Sequence, residues 1–202
     1  MLSPVDLLEQ AEEFASRIPA GREYEEDRNS SWVAIGEAWL KVGDGGAASR
    51  ALGRLDHPRC RAAMRHAIVM WRAHNPLFER GPGLLTEIAE CPQHFTPSEL
   101  QEMVPPMYQT LGAKAVVEYA ERIENPYAAS QVLVTLSHFL SAIEQRRSTL
   151  ELAEQLAAGV GDRALRCVRD GYRATGLLAD ASRVESSMAV HPKEIDEPVI
   201  AK

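Results

Sequence analysis

The chain has 202 residues, 45% hydrophobic and 25% charged, and its 22 basic and 29 acidic residues give a net charge of −7. That composition suits one globular domain or a short repeat array, and the acidic balance sets general nucleic-acid binding aside. No apolar run approaches the ~20 residues of a membrane span, the N-terminus has neither the basic stretch nor the apolar core of a signal peptide, and Cys60, Cys91 and Cys167 are too few and scattered for a disulfide framework. The expectation is a cytoplasmic, reduced protein.

Apolar residues recur at helical spacing from the start: Leu7, Leu8, Ala11, Phe14, Ala15 and Ile18. Ser3-Pro4 supplies a cap followed by proline in the first turn, and Thr96-Pro97-Ser98-Glu99 repeats that signal. Breakers divide the rest: Gly43-Asp44-Gly45-Gly46, Asn75-Pro76, Gly81-Pro82-Gly83, Asn125-Pro126 and Gly159-Val160-Gly161-Asp162. The pattern predicts helices over 4–18, 30–42, 46–55, 59–74, 82–90, 97–110, 113–123, 127–144, 147–158, 161–175 and 177–189. Pro105-Pro106 conflicts with the sixth and predicts a kink or a break there. After 190, two prolines and a run of charges leave no helical period, so 191–202 reads as an irregular tail behind a helical-repeat domain over 1–190.

A repeat underlies these segments. Prolines 58, 92 and 126 each follow a similar segment end, at steps of 34 residues. Two helices per period of 34 imply stacked helical hairpins, each leaning its apolar face on the next. The first full unit runs Trp32, Ile35, Gly36, Trp39, Gly43-Asp44, Ala48, Leu52, Leu55, and it resembles a tetratricopeptide repeat. A weaker version runs through Leu133, Leu136, Leu140, Ala153 and Leu156, and a fifth unit keeps Gly171, whereas Met70 and Val104 stand where a glycine would. The resemblance implies an all-α solenoid of about five antiparallel hairpins, with Gly36 meeting Ala48 across the first. HEAT-like hairpins and an irregular all-α domain are the competing architectures.

The sequence carries no phosphate loop, dinucleotide fingerprint, nucleophile elbow, His-Glu-x-x-His or Cys-x-x-Cys. His57-x-x-Cys60 and Cys91-x-x-His94 are mirrored pairs about one repeat apart. They have the ligand types of a zinc site, but cysteine is also a common small core residue, and adjacent turns in a stack lie ~9–10 Å apart. No other metal or cofactor is expected.

Residues 46–80 carry seven arginines against Asp56 and Glu79, with Arg61, Arg65 and Arg72 on one helical stripe. Such a stripe suits an acidic peptide or a phosphate, or else a solvated face paired with neighbouring glutamates. If the first helix of each hairpin lines the inner face, as the resemblance implies, Glu37, Trp71, Tyr108, His138 and Tyr172 form a column, with His74 beside Trp71. Aromatic residues of this kind make binding hot spots, though an aromatic at helical spacing is first a packing residue. The expected function is a non-catalytic adaptor or scaffold that binds a protein or a peptide with an acidic flank. A helical enzyme or small-molecule sensor with a site between hairpins, and a homo-oligomeric structural subunit, are the alternatives.

Overall fold

The computed structural model describes residues 2–75 and 82–190. Of these residues 81% are helical and none lies in a strand. Among the described residues twelve α-helices follow one another: α1 (Pro4–Ser16), α2 (Glu25–Val42), α3 (Gly45–Leu52), α4 (Pro58–His74), α5 (Pro82–Glu90), α6 (Pro97–Glu102), α7 (Val104–Leu111), α8 (Ala113–Glu121), α9 (Pro126–Ser137), α10 (Ile143–Ala158), α11 (Asp162–Ala174) and α12 (Leu178–Val190). Short 3₁₀ turns at Arg22–Tyr24 and Pro92–His94 complete the set. The tail expected over 191–202 lies outside the described residues.

The local signals act as physics requires. Ser3 and Thr96 each close a capping box, with Asp6 and Glu99 returning the bond to the cap amide. Prolines 58 and 126 open α4 and α9 at the first turn, where the missing N–H has no partner to lose. Pro92, which follows the predicted segment end at 90, opens a 3₁₀ turn rather than a helix. The sixth segment breaks at Met103, and Pro105 and Pro106 fall in the first turn of α7.

Two boundaries differ from expectation for tertiary reasons. α2 starts at Glu25, five residues before the predicted start at 30. The Asn29 side chain does not cap this helix. It is buried, donates to the Glu25 carbonyl, and its Oδ1 accepts from the backbone amides of Asp56 (3.0 Å) and His57 (3.1 Å). The segment predicted as 127–144 ends at Ser137, and the turn that follows is held by Arg146, whose Nε donates to the Leu140 carbonyl.

The chain divides into two compact units, Met1–Thr110 and Leu111–Lys202. In the first, α2 packs on α1, α3 and α4, and α4 on α3 and α5. Trp32, Ile35, Trp39, Ala48, Ala51, Leu55, Met64 and Ile68 make its core. Gly36 permits a close approach: a methyl group there would meet Met64 Sδ at 2.6 Å and Ala51 Cβ at 3.4 Å, so its nearest neighbours are Met64 and Ala51. In the second unit, α9 packs on α8, α10 and α11, and α11 on α10 and α12. Val132, Leu133, Leu136, Leu150, Ala153, Ala164, Val168 and Tyr172 are its buried centre. Gly171 brings α11 against Val134 of α9 and Leu150 of α10.

Candidate binding surfaces

Helix α4 concentrates the first unit's cations because seven arginines fall within 46–80, and the fold employs most of those on α4 internally. Arg59 forks onto Glu99 (2.7 and 3.0 Å) and donates to the His94 carbonyl. Burial alone would raise the Glu99 carboxyl, but hydrogen bonds from Arg59 and Thr96 overcome it and hold the group at about 2. His66 Nε2 lies 3.0 Å from Glu102. Arg61 reaches the Leu55 carbonyl at the α3–α4 turn. Arg65 is half-buried on the same helix. Arg72 is half-buried as well, and no hydrogen bond or ion pair from its side chain occurs among the described residues. The Arg61/Arg65/Arg72 stripe is thus divided, with Arg61 tying a turn and Arg72 making no hydrogen bond or ion pair among the described residues.

Arg72 stands on an apolar cleft. α4 contributes Val69, Arg72 and Ala73, α5 contributes Leu84 and Leu85, and α7 contributes Pro106, Gln109 and Thr110. The cleft measures about 350 Å³ counted out to open solvent. Sequence reasoning missed it, because α7 reaches the α4–α5 pair only after the break at Met103 separates it from α6. The double proline was the one available signal.

The expected column resolves differently member by member. Within Met1–Thr110, Glu37 is exposed on α2 and Tyr108 is half-buried on α7. Trp71 is half-buried and packs on the core, its ring lying where a methyl group on Gly45 would come within 2.6 Å. His74 is exposed, and its Nδ1–H donates to the Met70 carbonyl (2.7 Å). Within Leu111–Lys202, exposed His138 lines a small open hollow with Arg146, Ala174 and Thr175. Tyr172 corrects the expectation. It is 0% exposed and offers a partner no surface. The physical reason is Gly171 beside it, which lets α11 sink against α9 and α10.

Tyr172 instead belongs to a polar staple between α10, α11 and α12. Its hydroxyl donates to Glu154 (3.2 Å), which Arg183 grips with two bonds (2.6 and 2.8 Å). Arg147 on α10 meets Asp180 on α12 at 3.3 Å. Burial, followed by the Glu154 charge, raises the Tyr172 hydroxyl far above its ordinary range. The charged row on α11 is likewise engaged: Arg169 and Arg173 meet Glu185, and Arg163 lies over the Tyr127 ring at 5.3 Å. These groups satisfy one another, which is the paired-surface reading of the charge runs. Burial, then Asp170, pushes the Cys167 thiol up, away from the thiolate a nucleophile needs.

The zinc alternative receives no geometric support. His57 and Cys60 face an open hollow beside Arg22, Glu25, Glu26 and Ser30, while Cys91 and His94 flank Pro92 in the 3₁₀ turn. Among the described residues no three or more His, Cys, Asp or Glu side chains gather where they could hold a metal ion. The mirrored pairs share a spacing but not a centre. No helix among the described residues is long and apolar enough to cross a membrane.

No protein-family model matches the chain, and neither a curated protein nor a solved structure gives a significant match.

Proposed function

We propose that the chain is a non-catalytic binding module, a tetratricopeptide-like array of helical hairpins that holds a segment of another protein. One observation carries this reading: the apolar cleft of α4, α5 and α7 is bounded by Arg72, whose side chain makes no hydrogen bond or ion pair among the described residues. The Glu154, Tyr172 and Arg183 side chains, by contrast, close on one another. An apolar surface beside a cation is a place for a partner. Packing between consecutive hairpins, α2 on α4 and α9 on α11, supports the array. The Glu154–Tyr172–Arg183 cluster is the nearest thing to an enzyme's perturbed titratable groups. Its tyrosine is wholly buried and its charges are mutually satisfied, so it serves packing.

The test is selection of a random peptide library on the immobilised full chain, followed by hydrogen-exchange footprinting of the enriched peptides. Enrichment with protection on α4, α5 and α7 is the expected result. Failure of any peptide to enrich over the blank support would refute the binding reading.

A further inference from the structure

Helix α1 carries two large apolar side chains that the fold leaves in water: Leu7 is 54% exposed and Phe14 66%. They stand seven residues apart, two helical turns, so both project from one side of the helix. On the adjoining face Ala15 is buried, and Leu8 and Ala11 pack on the core of the first unit. The apolar arc of α1 is therefore wider than the part that packs inward. Single apolar residues on a surface are ordinary, but Leu7 and Phe14 share one stripe with half-buried Ala11 and Ile18 and together make a patch.

The charges of α1 decide what can cover it. The helix holds Asp6, Glu9, Glu12 and Glu13, with Arg17 at its end, so an acidic peptide or an anionic lipid surface is repelled. Helical periodicity puts Glu9 and Glu12 on the sides away from the stripe, and Glu12 accepts from the Trp39 indole (2.7 Å). Asp6, at the first turn, and Arg17, at the last, fall on the same flank of the stripe. A twofold axis between Gln10 and Ala11 lays two such helices antiparallel and brings like flanks together. Leu7 of each copy then lies against Phe14 of the other, and Arg17 of each beside Asp6 of the other. A parallel pair would set Asp6 against Asp6 and Arg17 against Arg17. Arg17 donates to Glu13 and lies over the Phe14 ring at 5.7 Å. That ion pair is mostly exposed and of small worth, and the guanidinium has further N–H groups to offer.

We infer that α1 is a self-association face, through which two copies of this chain pair antiparallel with Leu7 against Phe14 and Arg17 beside Asp6. One helix of 13 residues offers less than the ~800 Å² per partner of a standard interface, so the dimer is weak. Pairing of this kind does not depend on the peptide-binding reading above.

Sedimentation equilibrium of the full chain in ~0.15 M salt tests it. The mass should rise from monomer to dimer with a dissociation constant on the order of 100 μM. Phe14→Glu should weaken the dimer about tenfold or more without moving the melting temperature, because the ring is exposed. Arg17→Glu should weaken it several-fold, and more so at low salt. Mild oxidation of a mixture of the Leu7→Cys and Phe14→Cys chains should link position 7 of one to position 14 of the other, as mapped by mass spectrometry. A monomer mass throughout overturns the proposal, as does association that Phe14→Glu leaves unchanged. Links of 7 to 7 and 14 to 14 in place of 7 to 14 overturn the antiparallel pairing. A monomer whose α1 is protected by an enriched library peptide assigns the face to another protein instead.

Discussion

Gly171→Ala isolates the closest helix approach in the second unit. A Cβ added there would lie 2.9 Å from Val134 Cγ1 and 3.0 Å from Leu150 Cδ2. Both distances are well inside van der Waals contact. Val134 is β-branched and held to one rotamer in a helix, so it cannot swing clear without moving α9. Leu150 is fully buried and has no space to retreat into. Overpacking of this kind costs ~1–3 kcal/mol. Replacing glycine by alanine inside a helix returns ~1 kcal/mol of propensity. The balance is a net loss of up to about 2 kcal/mol. Urea unfolding followed by far-ultraviolet circular dichroism measures it, and the double variant Gly171→Ala with Val134→Ala should show favourable coupling of about 0.5 kcal/mol or more, as expected for residues in contact. Gly36→Ala serves as the contrast. Its Cβ would come within 2.6 Å of Met64 Sδ and 2.9 Å of its Cε, but these are the outer atoms of a flexible, unbranched side chain, so this variant should lose less than Gly171→Ala. If Gly171→Ala instead gains the full ~1 kcal/mol of an exposed helix position, α11 does not pack on α9 as described.

Three other outcomes follow from the same structure. Glu99, held at about 2 against an ordinary 4.5, contributes stability that is fully present above the unfolded value and is lost as pH falls from about 4.5 to about 2. Glu99→Gln should flatten the stability profile in that window, and an unchanged acid limb would contradict the Arg59 pairing. Asn29→Ala strands the amides of Asp56 and His57 and should cost ~1–3 kcal/mol in denaturant unfolding, whereas a cost under a few tenths would mean water replaces the side chain freely. Tyr172→Ala should cost ~3–5 kcal/mol as a large-to-small core change, while Tyr172→Phe loses the bond to Glu154 and ~1 kcal/mol. Equal thermal stability of these two variants would show that the ring is not packed.

What could be seen in the sequence was whatever a few neighbouring residues decide. Ser3-Pro4 and Thr96-Pro97 mark true helix starts because a cap closes its bond three residues away. The double proline marks a true break because the ring acts on its own turn. Gly36 was recognisable as a close contact, but not which atoms it meets. Met64 lies on the next hairpin, and its approach depends on how α4 crosses α2. Asn29 was hidden for the same reason, since its partners at 56 and 57 lie a whole hairpin away. Tyr172 read as a binding aromatic because helical spacing alone does not distinguish a face turned to a groove from one turned to a neighbour. The cleft has no sequence signature at all. Its walls come from three helices whose placement against one another no local rule sets.

The principal packings inside each unit join helices one or two apart in the chain. A chain built this way closes only short loops as it forms, and proteins of low contact order fold in microseconds to milliseconds. Among the described residues, α4 is also tied to α6 by side chains: Arg59 grips Glu99 across 40 residues, and His66 meets Glu102. That clasp fastens the start of α4 to the start of α6 and so encloses α5 within a loop. Loss of the Glu99 charge would loosen that hold while leaving the stacking of α2, α3 and α4 untouched, so amide exchange in α5 and α6 should quicken as the pH falls towards about 2, before the tryptophan-rich first hairpin opens.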